Sequence, residues 1–148
     1  MTATRRSTPC VGICSTTYGD LVCRGCKRFA HEIVSWNAFD VDQREAVWSR
    51  LEELRTGAIA RCLRVLDEER LIAEAEAVRV PQAAQRELLD LAYEALRRWR
   101  DRDAPPERLG VEALAGADTA QDLIRQIDRE FYSRSLAHYE RSFKIAAQ

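Results

Sequence analysis

Four of the five cysteines of this chain lie within a span of 17 residues near its amino end. Their spacing is Cys-x3-Cys-x8-Cys-x2-Cys, and it constrains the fold more than any other feature of the sequence. Residues 1–9 contain no apolar stretch typical of a cleaved export signal, so we expect a reducing, cytoplasmic location. Stable disulfides are disfavoured there, and clustered cysteines more often bind metal or carry out redox chemistry.

Glycine lies inside each cysteine pair and gives the backbone the freedom to turn two sulfurs toward one ion. Gly12 lies within the first pair and Gly25 within the second. The segment between the pairs contains Gly19-Asp20, a turn signal that lets the pairs fold face to face. We therefore predict a closed four-thiolate site that holds zinc or an iron–sulfur cluster. The predicted metal ligands are Cys10, Cys14, Cys23 and Cys26.

Local charge supports thiolates in this segment. Residues 1–28 carry five cations and one anion, a charge of +4, so the rest of the chain carries −5 to give the total of −1. Cations beside cysteines lower the thiol pKa and offset the −2 charge of a zinc tetrathiolate. The alternative is that they are ordinary surface cations. These cations are Arg5, Arg6, Arg24, Lys27 and Arg28.

Two other interpretations of the cysteines remain open. In the first, the four cysteines are small buried hydrophobic residues. In the second, Cys23 and Cys26 form a redox dithiol, although no βαβ pattern surrounds that pair. A zinc knuckle that continues to His31 fails, because its fourth ligand position holds Trp36. We expect His31 on the surface of the next helix, with replacement of one cysteine as the alternative, and Cys62 as a buried residue of a helix.

The motifs Pro9-Cys-Val-Gly-Ile-Cys14 and Cys23-Arg-Gly-Cys26, followed by Glu32-Ile33 and Trp36, resemble a bacterial family of short proteins of unknown function. Members share both cysteine pairs and a following helix with Glu-Ile-x-x-Trp. They are commonly labelled predicted iron–sulfur proteins, so the resemblance implies a metal centre without an established activity. It covers residues 8–55, about a third of the chain.

Apolar residues recur at helical spacing along the rest of the chain, and no strand pattern of useful length is visible. We predict an all-α protein in which residues 1–56 form the four-cysteine metal-binding module and residues 57–148 form a helical bundle. Phe29, Ile33 and Trp36 form the first apolar face, expected to cover Val11, Ile13 and Leu21. Further helices are predicted at 42–57, 59–80, 81–102, 107–115 and from 118 onward, with a kink at Gly57 rather than a break as the alternative.

The sequence contains no recognisable catalytic pattern. Its two histidines lie far apart, and it has no glycine-rich phosphate loop and no nucleophile elbow. We therefore predict a non-catalytic binding or redox-sensing module, with a structural zinc module for protein contacts as the alternative. The partner is expected to be a protein that docks on the helical region. No stretch is apolar enough for a membrane helix, and nucleic-acid binding ranks last because the chain is acidic overall.

Overall fold

The computed structural model describes residues 8–12 and 14–144, and the chain is mostly helical, as predicted. The helices are α1 (Ala30–Ser35), α2 (Val41–Cys62), α3 (Glu68–Ala77), α4 (Leu88–Arg98) and α5 (Ala120–Tyr139), and the strands are β1 (Leu63–Val65) and β2 (Val111–Ala113). Short 3-10 helices cover Ser15–Tyr18, Trp36–Ala38, Ala83–Gln85 and Pro106–Leu109. A π-helical turn follows α5 at Glu140–Lys144. Within the described ranges, no helix is both long and apolar enough to cross a lipid bilayer.

The backbone divides into two compact units by its internal contacts. One comprises residues 1–54 and 131–148, and the other comprises residues 55–130. We call them the terminal unit and the central unit.

In the central unit, two strands interrupt the region predicted to be helical. β1 pairs antiparallel with β2, with Leu63 opposite Ala113 and Val65 opposite Val111. The prediction of one helix over 59–80 is therefore wrong, and so is the short helix over 107–115. The pairing joins segments almost fifty residues apart, and each strand has only three residues, too few for an alternating pattern to be visible.

The turn after β1 begins a new helix and depends on one glycine. The Asp67 carboxylate accepts a hydrogen bond from the Arg70 amide at 3.1 Å, which caps the amino end of α3. Gly110, just before β2, has φ +83° and receives the Leu66 amide on its carbonyl at 2.8 Å. A Cβ atom at Gly110 would lie 2.6 Å from the Asp67 carbonyl oxygen, so the close approach of the two turns requires glycine.

The core of the central unit consists of aliphatic side chains from its helices and strands. Leu91, Leu123 and Ile127 are fully buried. Cys62 is buried in the same cluster, which confirms its prediction as a packed small residue. The other buried members include Ile59, Leu63, Leu71, Leu109 and Val111.

In the terminal unit, α1 buries Phe29 and Trp36 at its two ends, as the predicted apolar face requires. The expectation that Val11 and Leu21 lie covered beneath that face is wrong. Val11 is 58% exposed and Leu21 is 45% exposed, whereas Val22, next to Leu21, is fully buried. Val22 pairs with Phe29 through an isolated β-bridge, and this pairing turns the side chain of Val22 inward. Ile13 lies outside the described residues.

Candidate metal centre

The second cysteine pair lies in a tight turn between Val22 and Phe29. The Cys23 amide donates to the Arg28 carbonyl at 2.9 Å, and the Lys27 amide donates to the Cys23 carbonyl at 2.9 Å. These bonds and the Val22–Phe29 bridge bring the two ends of the turn together. Both cysteines of the turn are buried, in contrast to the exposed surface expected of a loop this short.

Lys27 holds this turn in place from within. It is a non-glycine residue in the left-handed region, with φ +66°, which costs about 1 kcal/mol or more unless other contacts offset it. Its ammonium group donates to the carbonyl oxygens of Arg24 at 2.6 Å and Gly25 at 3.1 Å. The group also lies 5.3 Å from the centre of the Phe131 ring, and the residue is only 2% exposed. A cation is thus buried next to the cysteine turn.

Backbone amides favour the ionised form of the Cys23 thiol. Burial raises the pKa of Cys23, but amide hydrogen bonds from Cys26, Ser15 and Gly25 and a contact with the Cys26 thiol together lower this pKa to about 7. Amides aimed at one sulfur favour a thiolate, which is the form that binds metal.

Cys26 lies beside a buried guanidinium group. Burial raises the pKa of Cys26, and the hydrogen bond from Arg28 opposes that rise. The Arg28 Nε atom lies 3.3 Å from the Cys26 sulfur, and Arg28 itself is 4% exposed. The charge of the Cys23 thiolate also raises the Cys26 pKa, so the two sulfurs are close enough to interact. Arg28 is therefore not an ordinary surface cation.

Cys14, of the first pair, also approaches this group. Its sulfur lies 3.0 Å from the Thr16 hydroxyl oxygen. Hydrogen bonds from the side chains of Thr16 and Thr17 lower the Cys14 pKa, whereas the charge of Cys23 raises it. The charge of Cys23 thus affects the pKa values of both Cys14 and Cys26.

Cys10 lies apart from them. It is exposed, and its contacts among the described residues are with Thr8, whose hydroxyl accepts the Cys10 amide at 3.2 Å, and with Gly12. The Gly12 amide donates to the Cys10 sulfur at 3.3 Å, and Gly12 has φ +91°. Both loops therefore place the amide of a glycine, two residues after a cysteine, against that cysteine's sulfur.

The predicted four-cysteine module is not confirmed by this geometry. Within residues 8–12 and 14–144, no group of three or more His, Cys, Asp or Glu side chains is arranged to hold a metal ion. All five cysteines are free thiols, and three of the four predicted ligands interact electrostatically. The complete ligand set stays a prediction.

The two histidines of the chain meet at an aromatic group instead. The His31 and His138 ring centres lie 5.9 and 6.1 Å from that of Phe29. His31 is exposed, as predicted, and lies 5.2 Å from Phe143. Burial and then the nearby charges of Arg50 and Arg141 lower the His138 pKa. His138 is thus a packed residue.

An ion pair that the sequence analysis missed supports the turn. Both terminal nitrogens of Arg50 contact the Glu32 carboxylate, at 2.5 and 2.7 Å, and Glu32 also accepts the Phe29 amide at 2.8 Å. The Arg50 guanidinium lies 4.0 Å from the Phe29 ring centre. Glu32 follows Phe29 by three residues, which is a capping-box spacing, but the partner on α2 is 18 residues away and leaves no local signal.

Comparison with known protein families gives a match over the segment that contains the four predicted cysteine ligands. No curated protein and no solved structure is significantly similar to the chain. Residues 8–55 match a family described as "Protein of unknown function (DUF1289)", which confirms the resemblance inferred from the cysteine motif.

Proposed function

We propose that Cys10, Cys14, Cys23 and Cys26 hold zinc or an iron–sulfur cluster in a small, non-catalytic binding or redox-sensing module. The observation that carries this proposal is the set of N–H groups aimed at sulfur. Backbone amides donate to Cys10 and Cys23, and the Arg28 guanidinium donates to Cys26. Hydrogen bonds to cysteine sulfur stabilise the thiolates of metal centres and tune their properties.

The donor set fits a metal that prefers sulfur. Soft thiolates select zinc and iron–sulfur clusters over magnesium or calcium. Zinc would supply a structural cross-link between the two loops, whereas a cluster would supply one-electron chemistry. The buried cations Lys27 and Arg28 suit either group, because both leave net negative charge on four thiolates. Five free thiols also accord with a reducing, cytoplasmic location.

The test is metal analysis of protein purified anaerobically under reducing conditions. We expect about one zinc per chain in colourless protein, or iron with absorption near about 400 nm for a cluster. The variants C10S, C14S, C23S and C26S should each retain less than half of the wild-type metal. C62S is the matched control, because Cys62 is buried in the central unit, and it should retain all of it.

Two results would contradict the proposal. One is wild-type protein that contains less than about half an equivalent of any metal under these conditions. The other is metal loss in C62S as large as in C23S. Because metal binding contributes folding energy, C23S should also lose hydrogen-exchange protection over the first 40 or so residues, while the helical residues of the central unit, 55–130, stay protected.

We also propose that the helical region docks a protein partner. The support is the position of the four cysteines beside a mostly helical segment with amphipathic sequence patterns. Affinity purification of the wild-type chain tests this proposal. Capture of nucleic acid that dissociates steeply as salt rises would contradict it.

A further inference from the structure

A cleft of about 420 Å³ opens in the terminal unit next to the second cysteine turn. It is lined by Thr8, Arg28, Ile33, Trp36, Asn37 and Arg44. Among these six side chains there are two cations and no carboxylate, although acidic residues slightly outnumber basic ones in the whole chain. The charge of the lining is therefore a local property of this cleft.

The two arginines of the cleft share one indole ring. The guanidinium carbon of Arg28 lies 4.9 Å from the centre of the Trp36 ring, and that of Arg44 lies 5.5 Å from it. Trp36 is 5% exposed, so the ring is a fixed support for both groups. One buried aromatic ring thus supports both guanidinium groups that line the cleft.

Each arginine is anchored through Nε alone. Arg28 donates from Nε to the Cys26 sulfur at 3.3 Å, and Arg44 donates from Nε to the Trp36 carbonyl oxygen at 3.1 Å. Within the part of the chain that the structure describes, no acceptor contacts the terminal nitrogens of either group, and no carboxylate pairs with them. Four terminal guanidinium nitrogens are therefore available to a ligand.

Arg50, in the same unit, shows how a carboxylate pairs with the terminal nitrogens of a guanidinium group. Both of its terminal nitrogens contact the Glu32 carboxylate, at 2.5 and 2.7 Å. A buried charge without such a partner is costly. An oxyanion in the cleft would give Arg28 and Arg44 the partner that Glu32 gives Arg50. The planar guanidinium group matches phosphate and carboxylate oxygens in a two-bond geometry.

We propose that this cleft binds a small-molecule oxyanion, with its oxygens held by the terminal nitrogens of Arg28 and Arg44. The Asn37 amide and the Thr8 hydroxyl, both at the exposed edge of the cleft, are the further donors. The Thr8 oxygen already accepts the Cys10 amide at 3.2 Å, which leaves its proton for the ligand. The site does not depend on the proposed metal, because none of its donors is a metal ligand.

The test is equilibrium dialysis of the full-length chain against radiolabelled inorganic phosphate and, separately, succinate, at an ionic strength fixed with sodium chloride. We expect saturable binding of one oxyanion per chain. R44Q should weaken binding at least about tenfold, the loss of one charge-assisted pair. R129Q is the matched control, because Arg129 is an exposed arginine outside the cleft, and it should bind as the wild type does. Arg28 is not substituted, because it also contacts Cys26.

The two probes separate the sources of the ligand. Saturation by phosphate alone assigns a phosphorylated ligand, and saturation by succinate alone assigns a carboxylate. The proposal is overturned if neither phosphate nor succinate shows saturable binding at concentrations up to about 50 mM. This concentration is far above the dissociation constants typical of specific ligands. Equal binding by R44Q and wild type also overturns the proposal. R44K keeps the charge but loses the planar guanidinium group, so its affinity for the oxyanion should lie between those of the wild type and R44Q. This variant also serves as the test if R44Q fails to fold.

Discussion

The ion pair between Glu32 and Arg50 offers the sharpest test of how the terminal unit is held together. The side chains are 7% and 16% exposed, and two hydrogen bonds of 2.5 and 2.7 Å join them. The same carboxylate accepts the Phe29 amide at 2.8 Å, next to the cysteine turn. Glu32→Gln keeps an acceptor for that amide but removes the charge opposite Arg50.

The expected cost follows from the burial of the pair. Removing one partner of a buried ion pair leaves an uncompensated charge and costs about 3–5 kcal/mol, and partial exposure of Arg50 places the value near about 3. The double variant Glu32→Gln/Arg50→Met removes both charges and keeps an apolar contact with Phe29, so it should lie within about 1 kcal/mol of the wild type. Even if Arg50→Met alone cost nothing, the two changes should be coupled by at least about 2 kcal/mol.

The measurement is urea unfolding of the four proteins of this cycle, followed by circular dichroism at neutral pH. Glu112→Gln is the matched control. Glu112 pairs with Arg64 at 3.0 Å, but those side chains are 36% and 63% exposed, so its loss should cost about 0.5 kcal/mol. Coupling below about 0.5 kcal/mol, or equal costs for the two glutamate substitutions, would refute the reasoning from burial.

Two further predictions concern the turns. Gly110→Ala should lower the free energy of unfolding by at least about 2 kcal/mol, because its Cβ would meet the Asp67 carbonyl at 2.6 Å. Gly116→Ala, with φ +80° but open space around it, should cost about 1 kcal/mol, and equal urea midpoints for the two variants would exclude the clash. In reduced, metal-free protein, the ultraviolet absorbance of one thiolate should appear as the pH rises through about 7, the pKa of Cys23, and C23S should lack it. Absorbance that appears only near the ordinary thiol pKa of about 8.5 would show that the amides do not stabilise this thiolate.

Local patterns predicted much of the fold. Leu91, Leu123 and Ile127 are buried where helical spacing places them, because packing against one core selects one face of each helix. α2 continues through Gly57 to Cys62, since an isolated glycine costs only about 1 kcal/mol in a helix. The strands at 63–65 and 111–113 were missed, because their hydrogen bonds are made by segments far apart in sequence.

The candidate site shows the same division. The cysteine spacing and the glycine two residues after Cys10 and Cys23 are local, and the sequence alone indicated loops that turn around sulfur. Burial is not local. Lys27 and Arg28 were indistinguishable from surface cations in the sequence, yet they are 2% and 4% exposed, because aromatic rings from other segments cover them.

Sequence patterns were enough to predict the mostly helical architecture, the buried position of Cys62 and the family match of residues 8–55. Helical periodicity and motif spacing are properties of neighbouring residues, so no tertiary information is needed to read them. The burial of particular charged side chains, by contrast, depends on tertiary contacts. Glu32 pairs with Arg50, whereas no carboxylate among residues 8–12 and 14–144 pairs with Arg28 or Arg44. Desolvation and pairing depend on side chains from separate segments, and these meet only when the chain folds.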